Sequence, residues 1–325
     1  MTPLPVLTYS TVGLPEARAF AEWRAVMAPV FHVEPARFHG ALPRGSVRSV
    51  MVGEVIANRS VFTAQHFARD AALVAATPGH LLLQAYVAGS FHGVLAERTV
   101  TVGKGMVAVT DLRRIVDVRA ATSSTVGLAL PRRLAAEIGA DALTPGLDPA
   151  RNRRLAAWIV AFHRRLPRMG EADVPALTAE IARFLKGLCD GAGAADPPEE
   201  DAPALLARAE AGAPGFSPAR LAGRLGVSRA TLYRLFAPLG GVMRQVQEGR
   251  LLAAHAALAD ALEPRSLAQV AADLGFGSAA LFSRNFRERF GLSPRAHREA
   301  AIRAADAARP DSLEPVRAWW TRIGE

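Results

Sequence analysis

Two short segments in the last third of the chain carry serine, alanine and arginine at matching positions. Residues 228–236 align with 278–286 at an offset of 50, and 221–227 align with 270–276 at an offset of 49. In each copy the serine can accept hydrogen bonds from the free amides of a first helical turn. An arginine one turn later can donate two hydrogen bonds to O6 and N7 of guanine. The repeat therefore predicts two helices whose side chains suit base edges in a DNA groove.

The outward faces of these two predicted helices supply the candidate DNA contacts. Small residues near the start of each helix permit close approach to the groove floor. The predicted base contacts are Arg229, Ala230, Tyr233 and Arg234 in the first copy and Ala279, Ala280, Ser283 and Arg284 in the second. The predicted phosphate contacts, which add affinity without sequence information, are Ser228, Ser278, Arg287, Arg289, Arg295 and Arg298.

Each copy has the residues that a helix-turn-helix unit needs. Ala222 and Ala271 let two helices approach closely, and Gly226 and Gly275 suit the positive φ of a tight helix end. The predicted inward stripes are Leu232, Leu235 and Phe236 in the first copy and Phe282, Phe286 and Phe290 in the second. A helix over 242–262 would separate the two units by about 30 Å, close to the ~34 Å between successive major-groove faces. Glycines 240, 241 and 249 are expected to delay or bend that helix.

The charge of the chain agrees with a polyanionic partner. The net charge is +9, and Lys104 and Lys186 are the only lysines, so arginine supplies nearly all of the positive charge. Residues 214–300 contain twelve arginines and six acidic residues. Any single arginine can be a solvated surface charge, and we prefer that interpretation for Arg220, Arg224 and Arg265.

The N-terminal half has a different pattern. Short apolar runs broken by glycine predict strands of a sandwich or barrel, at about 50–56, 80–88, 99–102, 106–109 and 125–130. Apolar stripes then predict two helices, at 152–166 and 176–189, and these stripes suit either the core of one chain or a second subunit.

The composition of 190–212 predicts a linker. The expected fold class is α+β with two domains: 1–189, the linker 190–212, 213–300, and an extension over 301–325.

The stretch from about Phe216 to Arg298 resembles the DNA-binding domain of the AraC/XylS family of regulators. The motifs that carry this resemblance are Ser228 through Phe236, Arg250-Leu251 with Ala254 and Leu258, Val270 through Phe276, Phe282 through Phe286, Phe290-Gly291, Ser293-Pro294 and Arg298. The resemblance implies seven helices, a DNA-reading helix in each unit, and control of transcription through RNA polymerase. More loosely, the N-terminal half resembles the cupin-like effector domains of such regulators, which implies a β-barrel followed by dimerising helices and a homodimer.

A small-molecule effector inside the predicted barrel would need a few polar groups among apolar walls. The candidate effector contacts are His66, Gln84, Tyr86, His92 and Arg113. The spacing of His66, His80, His92 and Glu97 does not form a metal-ligand set, so we expect neither a metal nor another cofactor. A regulator without a ligand remains an alternative within the same class.

The sequence predicts a protein that is not an enzyme. No nucleophile–base motif, glycine-rich phosphate loop or carboxylate pair is evident, and Cys189 is interpreted as a structural thiol. One cysteine, no signal peptide and no long apolar segment predict a cytoplasmic protein without a membrane partner. A cupin-type enzyme with a DNA-binding tail is the alternative from another class, and it would require a metal.

Overall fold

The computed structural model describes residues 2–36, 42–76, 79–139, 143, 147–190, 217–224, 227–237, 240–259, 261, 263, 265–307 and 318–319. The chain forms two compact units. The first comprises residues 1–197 together with 305–325, and the second comprises 198–304. The first is rich in strands and the second is helical, so the predicted α+β class is confirmed.

The first unit contains two antiparallel sheets among its described residues. The strands are β1 (Val6–Ser10), β2 (His32–Pro35), β3 (Gly45–Val52), β4 (Val55–Phe62), β5 (Gln65–Arg69), β6 (Leu81–Ala88), β7 (Phe91–Leu95), β8 (Arg98–Val102), β9 (Val107–Asp111), β10 (Val116–Ala120) and β11 (Ser123–Leu130). A six-stranded sheet has the order β1-β3-β4-β11-β6-β9, and a five-stranded sheet has the order β2-β5-β10-β7-β8.

Alternation along the strands builds a shared apolar interior from both sheets. In β10, Val116, Val118 and Ala120 are buried while Asp117 and Arg119 are exposed, as expected when successive side chains point to opposite faces. The interior side chains include Met51, Leu82 and Ala129 of the larger sheet and Phe67, Phe91 and Val118 of the smaller one. The two sheets therefore enclose one core, in agreement with the predicted β-rich domain.

The run predicted as one strand at 50–56 is two strands. β3 and β4 form a tight hairpin in which Val52 pairs with Val55, and Gly53 has a φ of +60° at the turn. Both strands are buried on both faces near this turn, so the apolar run continues through it and hides the reversal.

The last three α-helices of the first unit pack against the outer face of the six-stranded sheet. The helices of the first unit are α1 (Glu16–Met27), α2 (Ala71–Ala76), α3 (Arg132–Glu137), α4 (Pro149–Arg165) and α5 (Val174–Cys189). The stripes of α4 and α5, among them Leu155, Ile159 and Ile181, are fully buried in one core with the sheet. Of the two interpretations of these stripes, packing within one chain is the observed one.

The described residues of the second unit form six helices and two small cores. The helices are α6 (Pro218–Arg224), α7 (Arg229–Phe236), α8 (Val242–Leu258), α9 (Leu267–Asp273), α10 (Ala279–Phe290) and α11 (Pro294–Ala307). The N-terminal half of α8 packs with α6 and α7 through Val242 and Val246, and its C-terminal half packs with α9 and α10 through Leu251, Ala254 and Leu258. Helix α8 thus belongs to both helix-turn-helix units.

The connecting helix α8 is shorter than predicted. It contains 17 residues and ends at Leu258 rather than at 262, which corresponds to about 25 Å of length. It begins at Val242, as predicted, so Gly240 and Gly241, whose φ angles are 78° and 95°, do not delay its start, and Gly249 lies within it. In the part of the chain that the structure describes, no helix is both long and apolar enough to cross a membrane.

Candidate nucleic-acid interface

Serine caps fix the starts of both candidate DNA-reading helices. Ser228 Oγ accepts a hydrogen bond from Thr231 N at 3.1 Å, and Ser278 Oγ accepts one from Leu281 N at 3.1 Å. Each bond satisfies one amide that would otherwise have no partner in the first helical turn. The capping role predicted for the two serines is therefore observed, and it uses the hydroxyl oxygen as an acceptor.

The turn that precedes each of these helices is closed in the same way in both copies. Val227 N donates to Ala222 O at 3.0 Å, and Phe276 N donates to Ala271 O at 2.9 Å. The donors and acceptors of the two bonds are equivalent in the sequence repeat. In the second copy Gly275 has the predicted positive φ, at 73°, and Arg250 Nη1 donates to its carbonyl oxygen at 2.7 Å. Gly226 lies outside the described residues.

Helix α7 buries one face and exposes the other. Leu232 and Phe236 are fully buried in the first core. Arg229, Ala230, Tyr233 and Arg234 are exposed, and Tyr233 keeps 48% of its surface accessible. The side chain of Leu235 is outside the described residues. The four predicted base contacts of this copy therefore share one accessible face, as groove entry requires.

Helix α10 repeats this division. Phe282 and Phe286 are buried, Ala279, Ala280 and Arg284 are exposed, and Ser283 is half-buried. Leu281, which is 39% exposed beside these residues, was not among the predicted base contacts. An apolar side chain in this position suits the methyl group of thymine. The sequence contains a signal for this exposure. Phe282 already belongs to the inward apolar stripe, so its neighbour Leu281 falls on the outward face beside Ala280.

The predicted phosphate contacts differ in how they are held. Arg287 is exposed, and no ion pair of its side chain is found within the described residues. Arg289 Nη2 lies 2.7 Å from Glu248 Oε1, and Arg295 Nε lies 2.9 Å from Glu299 Oε1. These carboxylates raise the pKa of both guanidinium groups. Both arginines are accessible, and each must share or release its carboxylate to hold a phosphate.

Arg298 and Arg265 stabilise the second helix-turn-helix unit. Arg298 Nη2 donates to Arg265 O at 2.7 Å, and burial lowers the pKa of Arg298. Arg265 in turn forms ion pairs with Glu263 at 2.8 Å and Asp273 at 3.0 Å. Arg298 is half-buried, so a phosphate reaches it less easily than it reaches Arg287.

The first unit brings only some of the candidate effector residues together. Gln84 and Tyr86, on alternate positions of β6, line a cavity in the shared interior along with Phe67, Phe91 and Val118. Burial raises the pKa of Tyr86, which keeps its hydroxyl group neutral and able to donate a hydrogen bond. The interior therefore offers two polar side chains among aromatic and aliphatic walls.

The other three candidates lie away from this cavity. His66 and His92 flank Phe67 and Phe91 in sequence, so strand alternation turns them to the opposite face of the five-stranded sheet. There His66 lies between Glu34 Oε2, at 3.2 Å, and Asp117 Oδ1, at 3.0 Å. Arg113 follows β9 and pairs with Asp111 at 2.8 Å. Among the described residues, histidine, cysteine and acidic side chains form no group of three that would hold a metal ion.

Comparison with known proteins gives matches of two kinds. Residues 221–300 match a sequence family described as a helix-turn-helix domain. The crystal structure of the AraC-like transcriptional activator CuxR is 23% identical, with a TM-score of 0.50 over 75% of this chain and 94% of that one. An AraC-type regulator from Chromobacterium violaceum is 32% identical over 30% of this chain and 88% of that one, with a TM-score of 0.28.

A third similar structure is ToxT from Vibrio cholerae bound to an unsaturated fatty acid. It is 13% identical, with a TM-score of 0.29 over 68% of this chain and 87% of that one. A search of curated protein sequences gave no match. The similarity to CuxR extends over both units and supports the two-part fold.

Proposed function

Because the chain belongs to the AraC/XylS family of DNA-binding transcription regulators, we propose that it reads a specific duplex site with both helix-turn-helix units. Helices α7 and α10 would each enter the major groove, in adjacent segments of one duplex face. The observation that carries this proposal is the repeated geometry of a serine-capped helix with a buried apolar face and an exposed arginine face.

The exposed faces suggest distinct roles for their residues. Arg234 and Arg284, each near the middle or end of its helix, would donate to guanine, and Leu281 would contact a thymine methyl group. Arg229, Ala230 and Tyr233 in one copy and Ala279, Ala280 and Ser283 in the other would form the rest of the base-facing surface. Arg287 would hold a phosphate, with smaller contributions from Ser228, Ser278, Arg289, Arg295 and Arg298.

The first unit would supply the signal. We propose that its interior binds a small-molecule effector through Gln84 and Tyr86, since these are the predicted candidates that line the cavity. Family membership further suggests a homodimer and contact with RNA polymerase. The apolar stripes of α4 and α5 are buried within one chain, so a dimer through these helices would use their outer, more polar faces.

Selection from a pool of random duplexes tests the DNA-binding proposal. The full chain is expected to enrich sequences that share two conserved segments with centres about 10 base pairs apart. A chain with Arg234→Ala and Arg284→Ala together is expected to enrich none of these sequences while remaining folded. Enrichment of a single short segment by the unaltered chain would contradict the use of both units.

A further inference from the structure

Trp319 belongs to the first unit, although it follows α11 in sequence. Trp319 is half-buried and packs against the apolar interior that both sheets share. A tryptophan buries a large apolar surface, so this contact has an energetic role beyond that of an incidental surface residue.

Trp319 lines a second cavity in that interior. Its neighbours there include Val47 and Leu82, which are apolar, and Ser49 and Asn58, which are polar and buried. This cavity and the one lined by Tyr86 share Met27, Phe31, Ser60 and Gln84. The indole ring of Trp319 thus lies at a site that adjoins the candidate effector cavity.

The space left beside Trp319 is small. Each of the two cavities has a volume of about 40 Å³. A single water molecule needs roughly 10 to 15 Å³, and a cavity of about 150 Å³ accepts benzene. With the indole ring in place, the interior has room for a few water molecules but not for an aromatic ring.

We propose that Trp319 is an internal occupant of the effector site, and that the effector is a planar, apolar, aromatic molecule with a hydrogen-bonding group that takes the place of the indole ring. This inference rests on the proposed effector-binding function of the first unit. Met27 and Phe31 offer flat or flexible apolar contacts to a ring, while Ser60 and Gln84 offer hydrogen bonds to its polar group. The indole ring of Trp319, which is aromatic and carries one N–H donor, indicates the kind of molecule that the site accepts.

The same contact provides a route to regulation. Effector and Trp319 compete for one space, so binding of the effector releases the indole ring of Trp319 from the interior. The competition also lowers the apparent affinity for the effector. This apparent affinity equals the affinity for the open site multiplied by the fraction of chains in which the site is open. Removal of the indole ring should therefore strengthen effector binding and reproduce the released state without effector.

Titration of the full chain with indole tests this inference. We expect Trp319→Ala to bind indole about tenfold or more tightly than the unaltered chain, because no ring has to be expelled first. Indole should also raise the melting temperature of Trp319→Ala more than that of the unaltered chain. Trp319→Phe retains a smaller ring, and its affinity for indole should lie between the other two.

Two results would overturn the inference. Equal affinity of all three chains would show that Trp319 does not occupy the site, and absence of binding to all three would exclude the aromatic ligand class. If Trp319→Ala does not fold, the comparison of Trp319→Phe with the unaltered chain decides between the same outcomes. DNA affinity is measured separately: a variant that gains indole affinity without any change in DNA affinity contradicts the effector-responsive function but retains the occupied site.

Discussion

At the scale of single residues, Arg284 offers the most direct test of base reading. Its side chain is exposed on α10, opposite the buried Phe282 and Phe286. We expect Arg284→Ala to weaken binding to the selected site by about 1 to 3 kcal/mol and to leave binding to random duplex nearly unchanged. Competition binding at fixed salt concentration measures both values. Arg303→Ala removes an exposed arginine of α11 and should change neither. An equal loss on both duplexes would reassign Arg284 to phosphate contact.

A second residue gives a prediction about pH. His163 of α4 is half-buried, and its desolvation lowers its pKa from 6.5 to about 4, although its Nε2 donates a hydrogen bond to Gly127 O at 2.9 Å. Between these two values the unfolded chain binds a proton that the folded chain does not. The free energy of unfolding should therefore decrease as pH falls from 6.5 to 4, by up to about 3 kcal/mol.

Urea unfolding of the first unit at several pH values measures this dependence. His163→Gln retains a hydrogen-bond donor without the titration, so its stability should vary less over this interval. His92→Gln, at an exposed position, should retain the full dependence. A His163→Gln chain with an unchanged slope would show that other groups cause the loss of stability in acid.

At the scale of elements, the turn before α10 depends on a glycine. Gly275 has a φ of 73°, and a Cβ there would lie 2.9 Å from Nη2 of Arg250. Gly277, two residues later, has nothing within 4 Å of such a Cβ and no positive φ in the left-handed region. Gly275→Ala should lower the free energy of unfolding of the second unit by about 1 to 2 kcal/mol, and Gly277→Ala should change it by less than about 0.5 kcal/mol. Chemical denaturation followed by circular dichroism compares the two. Equal effects would show that the turn tolerates a side chain.

The elements also show what the sequence can predict. Helices α7, α10, α4 and α5 were predictable because each has a 3.6-residue apolar stripe with a serine or aspartate at its start. The β3–β4 hairpin was not, since its strands are buried on both faces and the alternation disappears. The end of α8 was placed four residues late because Leu262 continues the apolar pattern after the helix has ended at Leu258.

At the scale of the whole molecule, the candidate DNA contacts could be predicted more fully than the effector site. A repeat within one chain aligns Arg234 with Arg284 and the two capping serines with each other, so local periodicity defines the outward face. The interior of the first unit depends instead on which strand face turns inward. That choice separates Gln84 and Tyr86 from His66 and His92, and sheet pairing over distant parts of the chain decides it. Trp319 lies still further away in sequence, and its contact arises from tertiary packing alone.

Interference footprinting on the selected duplex tests whether one chain reads two adjacent major-groove segments. Chemical modification of guanines that blocks binding should reveal two segments with centres about 10 base pairs apart on one face of the duplex. Arg234→Ala should abolish interference in one segment only, and Arg284→Ala should abolish it in the other. Loss of the same segment in both variants, or a single segment in the unaltered chain, would show that the two helix-turn-helix units do not read separate segments.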